Sequence, residues 1–555
     1  MSRYQGPRGR VPGNPQHAQF KFSEATIGPV HRSVFNRSHS HKTSFNEGYL
    51  IPILVDPVLP GDTFNLRMTA MVRMTSPLLN PIMDNLYLES FWFFVPSRLV
   101  WTNWEAMNGA QPSTPSDSTS FILPTLTAPG GGVATGDLAD YMGWPIGIAN
   151  YPVAQALPFR CYNLIWNEWF KDENLQNSVT VEMDNGPDTY ANYTVLQRGK
   201  RKDYFTSALP WTQKINDGTV VTIGLSGTAP VTGIATNSSQ TTLNQQGQNV
   251  ANMWETNAAS SQTYVNYAVS DTTPFFIKHQ GSGTINASNT PQIFANLAAA
   301  SGISVNSLRQ AFQLQRLFER DARGGTRYVE ILWSHFGVRS PDFRLQRPEL
   351  LSTGYSPVNV HPVPQTSASG QTGATTTQGN LAAFATASIH GHGFTKSFVE
   401  HGFVIGLISV RADLSYSQGI ERFWLHSTRY DHFWPTLSHI GEQAIFNQEI
   451  YLSTNNTQNN AAFGYTGRYN EYRYKPSLIS GLFRPEAANT LDIWHLSQHF
   501  GSLPTLGSTF IVENAPMSRI KAVTSVPDFI IDAEFNYKCA RPMTVDATPG
   551  MIDHF

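Results

Sequence analysis

Between residues 64 and 74 the apolar side chains fall on every second position. Phe64, Leu66, Met68, Ala70, Val72 and Met74 share one face, and Asn65, Arg67, Thr69 and Arg73 take the other. That period predicts a half-buried β-strand. Pro57, Pro60, Gly61, Pro77, Pro81 and Pro96 divide the surrounding stretch, residues 43–104, into short strands joined by turns. Residues 86–95 break the alternation, with Phe91, Trp92, Phe93 and Phe94 in succession, and predict a strand covered by protein on both sides. Two further strands are predicted, at 403–410 (FVIGLISV) and at 529–537 (FIIDAEFNY). If strands from both ends of the chain share one sandwich, the middle is a set of insertions.

Helical spacing is rarer. Val100, Trp104 and Met107 recur at helical intervals after a potential cap at Ser97, which predicts a helix running to Gly109. A second is predicted over 159–170, with Pro158 in its first turn and Cys161, Leu164, Ile165 and Trp169 on one side. A third covers 308–323, with Leu308, Ala311, Phe312, Leu317 and Phe318 broadly together before Gly324 and Gly325 end it. Residues 110–152, rich in Ser, Thr, Pro and Gly, predict an extended surface loop, and residues 362–380 predict another exposed loop. From 215 to 300 charge almost vanishes while Thr, Ser, Asn, Gln and Gly accumulate, which predicts an exposed insertion ordered by its neighbours. Four regions result: a polar arm at 1–42, first strands with helices and loops at 43–214, the insertion at 215–300, and the remaining helices, loops and closing strands at 301–555.

Composition narrows the class. Charged residues make up only 14% of the 555, aromatics 12%, and the net charge is −2. A globally basic nucleic-acid binder is excluded, and broad protein contacts fit better. Cys161 and Cys539, far apart and outside any CxxC spacing, read as buried free thiols. No apolar run approaches the roughly 18 residues of a membrane span, and the first residues contain no apolar signal core, so synthesis in a reducing, soluble compartment is expected.

Candidate chemistry is sparse. In the arm, Arg3, Arg8, Arg10, Lys21, Arg32, Arg37 and Lys42 stand against the single acid Glu24, a pattern that suits neutralising phosphates without reading sequence and suits a solvated disordered terminus equally. The basic cluster at 198–202 (RGKRK) reads as a solvated turn, with a nucleic-acid site as the alternative. His390, His392 and His401 lack carboxylates at ligand spacing, so no metal is expected. Asp431 with His432, and Asp492 with His495, have no nucleophile elbow, HExxH or phosphate loop beside them and read as structural pairs, and no cofactor or enzymatic activity is expected. The run YNEYRY at 469–474 suits base stacking or an interface equally.

Several long stretches add a resemblance. Residues 39–109 (HSHKTSFNEGYLIPILVDPVLPGDTFNLRMTAMVRMTSPLLNPIMDNLYLESFWFFVPSRLVWTNWEAMNG), 308–350, 408–445 and the terminal NYKCARPM at 536–543 resemble the major capsid protein family of the Microviridae, and the 308–350 stretch resembles its gokushovirus branch. The resemblance implies a mainly β fold, an eight-stranded antiparallel jelly-roll β-sandwich with long loop insertions and a few short helices. It also implies self-association into pentamers and a T=1 icosahedral 60-mer around circular single-stranded DNA, in a virion made in a bacterial cytoplasm. Other implied partners are a small basic internal DNA-binding protein, a minor or pilot capsid protein, and a host cell-surface receptor, a glycan among the candidates. The insertion at 215–300 would form a threefold protrusion, and the arm would face the genome. A carbohydrate-binding or carbohydrate-active β-sandwich is the alternative, since jelly rolls with exposed aromatics serve there too.

Overall fold

The computed structural model describes residues 31–108, 121–149, 154–212 and 346–546, apart from 367–368, 372–373 and 377–378, with parts of 213–345. Two compact units emerge, one of residues 1–212 and 340–555, the other of residues 213–339.

The first unit is organised by nine strands: β1 (Ser33–Asn36), β2 (His39–Phe45), β3 (Ile51–Val58), β4 (Thr63–Met74), β5 (Leu86–Pro96), β6 (Glu349–Pro364), β7 (Leu381–Ser397), β8 (Gly402–Ala412) and β9 (Phe529–Arg541). All neighbours pair antiparallel, in the order β1-β9-β4-β7-β6-β5-β8-β3, with β2 also on β9. β1 and β2 follow β9 in one register, Ser33 opposite Arg541 and Phe45 opposite Phe529, so they form one strand kinked at Arg37 and Ser38. Eight strands therefore make two sheets, β2-β9-β4-β7 and β6-β5-β8-β3, the order of a jelly-roll sandwich. The long strands β6 and β7 belong to both, because β6 pairs with β5 at one end and with β7 at the other.

The two predicted strand patterns have different fates. In β4 every apolar residue of the alternating set is buried and the intervening positions are exposed. Phe64, Leu66, Met68 and Val72 meet Phe529, Ile531, Phe535 and Tyr537 of β9 inside the sandwich. β5 is buried throughout except at Tyr87. Its Leu86, Leu88, Trp92 and Phe94 enter the same core, while Phe91, Phe93 and Val95 enter a second core on the other side of their sheet. Phe403, Ile405 and Leu407 of β8 join that second core.

The second core is roofed by described residues between Val100 and Leu196. The helix Leu157–Ile165, with Pro158 in its first turn, buries Phe159, Cys161, Tyr162 and Ile165 there, and Trp166–Phe170 continues it as a π-turn. Two expectations are corrected here. The single helix predicted from Ser97 is a 3-10 turn, Ser97–Leu99, and a separate short helix, Trp104–Met107, because Val100 and Trp101 turn inward to full burial between them. Residues 121–149 are more than a surface loop, since Leu126, Ala128, Val133, Leu138 and Ala139 are buried in the second core. Both cysteines are buried free thiols.

Residues 413–528 form a further layer around a third core of Phe205, Ile445, Ile450, Phe463 and Phe510. The loop predicted at 362–380 begins and ends in paired strand, Pro364 opposite Leu381, and its described tip is a small hairpin of Ser369–Gln371 and Ala374–Thr376. In the second unit, Thr241–Leu243, Asn249–Glu255, Thr263–Val269 and Ile277–His279 form an antiparallel sheet, and Thr228–Pro230 pairs with Phe294–Asn296. Of the helix predicted over 308–323, residues 312–317 are helical, with Phe312 and Leu317 exposed, and most of the remainder lies outside the described residues. No helix among the described residues is long and apolar enough to cross a membrane.

Candidate nucleic-acid interface

The predicted contact residues of the arm divide into two groups. Arg3, Arg8, Arg10 and Lys21 lie outside the described residues. Arg32, Arg37 and Lys42 sit on or beside β1 and β2, and each has a partner in its own chain. Arg32 donates to the Gly61 carbonyl and, at 2.9 Å, to Thr63 Oγ1. Lys42 Nζ is 2.8 Å from Asp532 Oδ1 across the strand pair. Arg37 pairs with Asp56, a carboxylate only 5% exposed, which also accepts the Tyr537 hydroxyl at 2.6 Å and lies 3.6 Å from Arg541. Burial alone would lower the Arg37 pKa, but the Asp56 carboxylate outweighs it and holds the guanidinium above its ordinary value. Arg37 thus closes the kink of the first strand onto the sandwich.

The 198–202 cluster is the clearest departure from expectation: it is packed, where a solvated turn was predicted. Glu89 of β5 accepts from Arg198, from Arg201 at 3.2 Å and from Arg411 at 2.9 Å. Arg198 also lies 4.6 Å over the Phe91 ring, and buried Lys200 lies 4.5 Å over Phe510. Burial would raise Glu89, yet Arg198 and Arg411 hold it below the usual carboxylate range. Arg198 is pulled down to about 10 by burial and by Arg411, and so stays charged near neutrality. One carboxylate on a covered sheet face recruits three guanidinium groups, and spacing along the chain carries no sign of it.

Several of the candidate histidines and acids are held by other groups of the chain. His392 lies between Ser90 Oγ at 3.0 Å and Ser356 Oγ at 3.4 Å, and burial lowers its pKa. His401 stacks edgewise on Trp104. Asp431 accepts the backbone N–H groups of Ser427 and Thr428, and those bonds, led by Thr428, hold its pKa to about 2. His495 Nε2 contacts the Phe483 carbonyl at 2.7 Å. Glu182, Asp184 and Asp188 cluster at ligand distance, but the buried Arg160 guanidinium already faces Asp188 and Asp184. Tyr469 and Tyr474 of the aromatic run turn inward, Tyr469 fully buried and Tyr474 stacked on Tyr204, while Tyr472 remains exposed. A cavity of about 130 Å³ beside Tyr204, Tyr416, Phe423 and Tyr474 has its charges matched internally, Arg422 to Glu449 and Lys475 to Glu421.

The unpaired cations lie elsewhere. On the outward face of β2-β9-β4-β7, Arg67 and Arg73 of β4 and Lys538 of β9 are exposed and have no hydrogen-bond or ionic partner among the described residues. The strict alternation of residues 64–74 marked Arg67 and Arg73 as outward-facing. It could not say that no other layer among the described residues would cover them.

Comparison with known proteins completes the picture. The family model described as "Capsid protein (F protein)" matches residues 23–551. Capsid protein VP1 of Bdellovibrio phage phiMH2K is 44% identical, over 97% of this chain and 99% of that protein. Capsid protein VP1 of Chlamydia phage 1 is 42% identical, over 97% and 98%, and Capsid protein VP1 of Spiroplasma virus 4 is 33% identical, over 94% and 96%.

Proposed function

The chain belongs to the capsid protein (F protein) family, and from that premise we propose that sixty copies close into a T=1 icosahedral shell around a circular single-stranded DNA genome. Its relatives are structural proteins of phage particles, and this chain is likewise a virion component with no enzymatic role.

The observation that carries the assembly reading is family membership over nearly the whole chain together with a jelly roll whose connections are long insertions. In this sandwich β6 and β7 join the two sheets, and the remaining sheet edges are those of β1–β2 and β3. Insertion surfaces then supply the heterologous contacts that close rings, and many modest interfaces make the shell stable collectively. The exposed aromatics of the 413–528 layer, Trp424, Tyr430 and Phe433 among them, fit such contacts.

In this reading the arm residues Arg3, Arg8, Arg10 and Lys21 meet packaged DNA, beside a small basic internal protein, and a pilot protein joins the same particle. The segment 215–300 forms the threefold protrusion and contributes to attachment at a host surface receptor. The subunit is made in the host bacterial cytoplasm. Electron microscopy and sedimentation of the expressed chain test the proposal. Closed particles of sixty subunits are expected, whereas a stable monomer that binds glycans would replace it with the carbohydrate-binding alternative. Deleting residues 220–295 is expected to leave shells that assemble but adsorb poorly to cells.

A further inference from the structure

The two sheets of the sandwich differ in what covers them. The outward face of β6-β5-β8-β3 is buried under the second core. The outward face of β2-β9-β4-β7 has no layer over it among the described residues, and its side chains alternate with the buried set along both β4 and β9. That uncovered face carries Lys42, Arg67, Arg73, Lys538, Asp532 and Glu534. Asp532 is taken up by Lys42. Three unpartnered cations then stand against one unpartnered carboxylate, Glu534.

We infer that this face is a contact surface for the phosphate backbone of single-stranded DNA, an assignment that rests on the genome-enclosing reading above. Asn536 lies opposite Arg67 and Asn65 opposite Lys538, so Arg67 and Lys538 are diagonal neighbours, about 7–8 Å apart on one face. Arg73 lies six residues further along β4, about 20 Å from Arg67 at the rise of a strand. The charges are therefore distributed along a track, and the unengaged amides of Asn65 and Asn536 lie beside it. A sheet surface with spaced cations suits sequence-independent contact with a polyanion, in which phosphates supply the affinity and bases are not read. Met71 and Ile530, both about half exposed, give the same face apolar ground for the sides of unstacked bases. A second copy that laid this same face against itself would set like charges opposite one another, which is unfavourable. The kinked first strand pairs along β9, at the edge of this same sheet.

The test uses the full chain, with a fluorescent oligothymidylate as the probe. The triple variant Arg67→Gln, Arg73→Gln, Lys538→Gln is expected to bind at least tenfold more weakly at low salt. Its plot of log affinity against log salt should flatten by about two, at roughly 0.7 for each phosphate of a single strand that is no longer neutralised. Glu534→Gln is expected to tighten binding. Unchanged affinity and slope in the triple variant overturn the inference. So does a variant that binds DNA normally but no longer forms particles, because the face would then be a contact between copies. If the triple variant does not fold, photocrosslinking of bromodeoxyuridine-substituted oligonucleotide to the wild-type chain decides: adducts on peptides of β4 or β9 support the assignment, and adducts confined to other peptides overturn it. A wild-type chain that binds the oligonucleotide but never closes into shells would count against the shell reading and leave this surface standing.

Discussion

Arg160 Nε donates to Asp188 Oδ2 at 2.8 Å, and both side chains are fully buried beneath the second core. The same guanidinium donates to the carbonyls of Val100 and Asp184 at 3.0 Å, and the Tyr193 hydroxyl completes the carboxylate. This pair ties three parts of the roof together, the turn at 100, the helix at 157–165 and the loop at 184–193. Removing one partner leaves a charge with no water to solvate it. Asp188→Asn is therefore expected to cost about 3–5 kcal/mol, whereas the apolar double replacement Arg160→Met, Asp188→Leu should cost less than either single change. Denaturant unfolding of the soluble subunit measures both.

Gly48 is held by backbone geometry. It sits between β2 and β3 with φ at +80°, and a Cβ there would stand 2.7 Å from the Glu513 carbonyl oxygen. Glu513 lies in the last insertion before β9, so the contact is backbone against backbone and neither side can swing away. Gly48→Ala combines left-handed strain with this collision and should cost about 3 kcal/mol. Loss of soluble subunit, or a matching drop in unfolding midpoint, is the expected result. An unchanged midpoint would mean the turn can relax.

The contrast between β4 and β5 gives a third prediction. Phe93 is 1% exposed, between the sheet and Trp169 and Phe170, while Met71 on β4 is 47% exposed. Phe93→Ala should open a cavity and cost about 3–5 kcal/mol, and Met71→Ala should change subunit stability by less than about 0.5 kcal/mol. Calorimetric or denaturant midpoints for the two variants check the difference.

That contrast also marks what could be read from the chain. Alternation at 64–74 and its absence at 86–95 reported how many faces each strand buries, because burial imposes a period directly on side-chain type. Pairing left no such mark: Met74 meets Phe529, and Glu349 meets Phe94, across hundreds of residues. The intramolecular partners of the basic residues were hidden for a related reason. Arg37 and Arg198 look alike in composition to Arg67, but the first two have carboxylates, Asp56 and Glu89, delivered by distant strands. Lys538 lay one residue beyond the strand predicted at 529–537, so its alignment with Arg67 emerged only from the register of β9 on β4. Local pattern encodes exposure, whereas neutralisation depends on tertiary contact.

The buried acids behind Gly48 should make stability depend on pH. Glu47 is raised well above the usual carboxylate range by burial, by Glu513 and by Asp528, and Glu513 is itself raised by burial despite Arg411, Lys200 and Arg198 nearby. Glu47 Oε2 accepts the Ala515 N–H at 3.1 Å, and its own N–H donates to Asp528 Oδ2 at 2.9 Å, so the site joins the β2–β3 turn to the start of β9. A carboxyl raised on folding binds more protons in the native chain than in the unfolded one. Its stabilising contribution is complete below about pH 4.3, where unfolded Glu titrates, and is lost as pH climbs toward the folded value. Glu47→Gln keeps an oxygen for Ala515 and offers Glu513 a permanent donor. The variant should match the wild type near pH 4, gain on it as pH rises toward the folded Glu47 value, and show a flatter profile of unfolding midpoint against pH. A wild-type slope in the variant would assign the dependence to other groups.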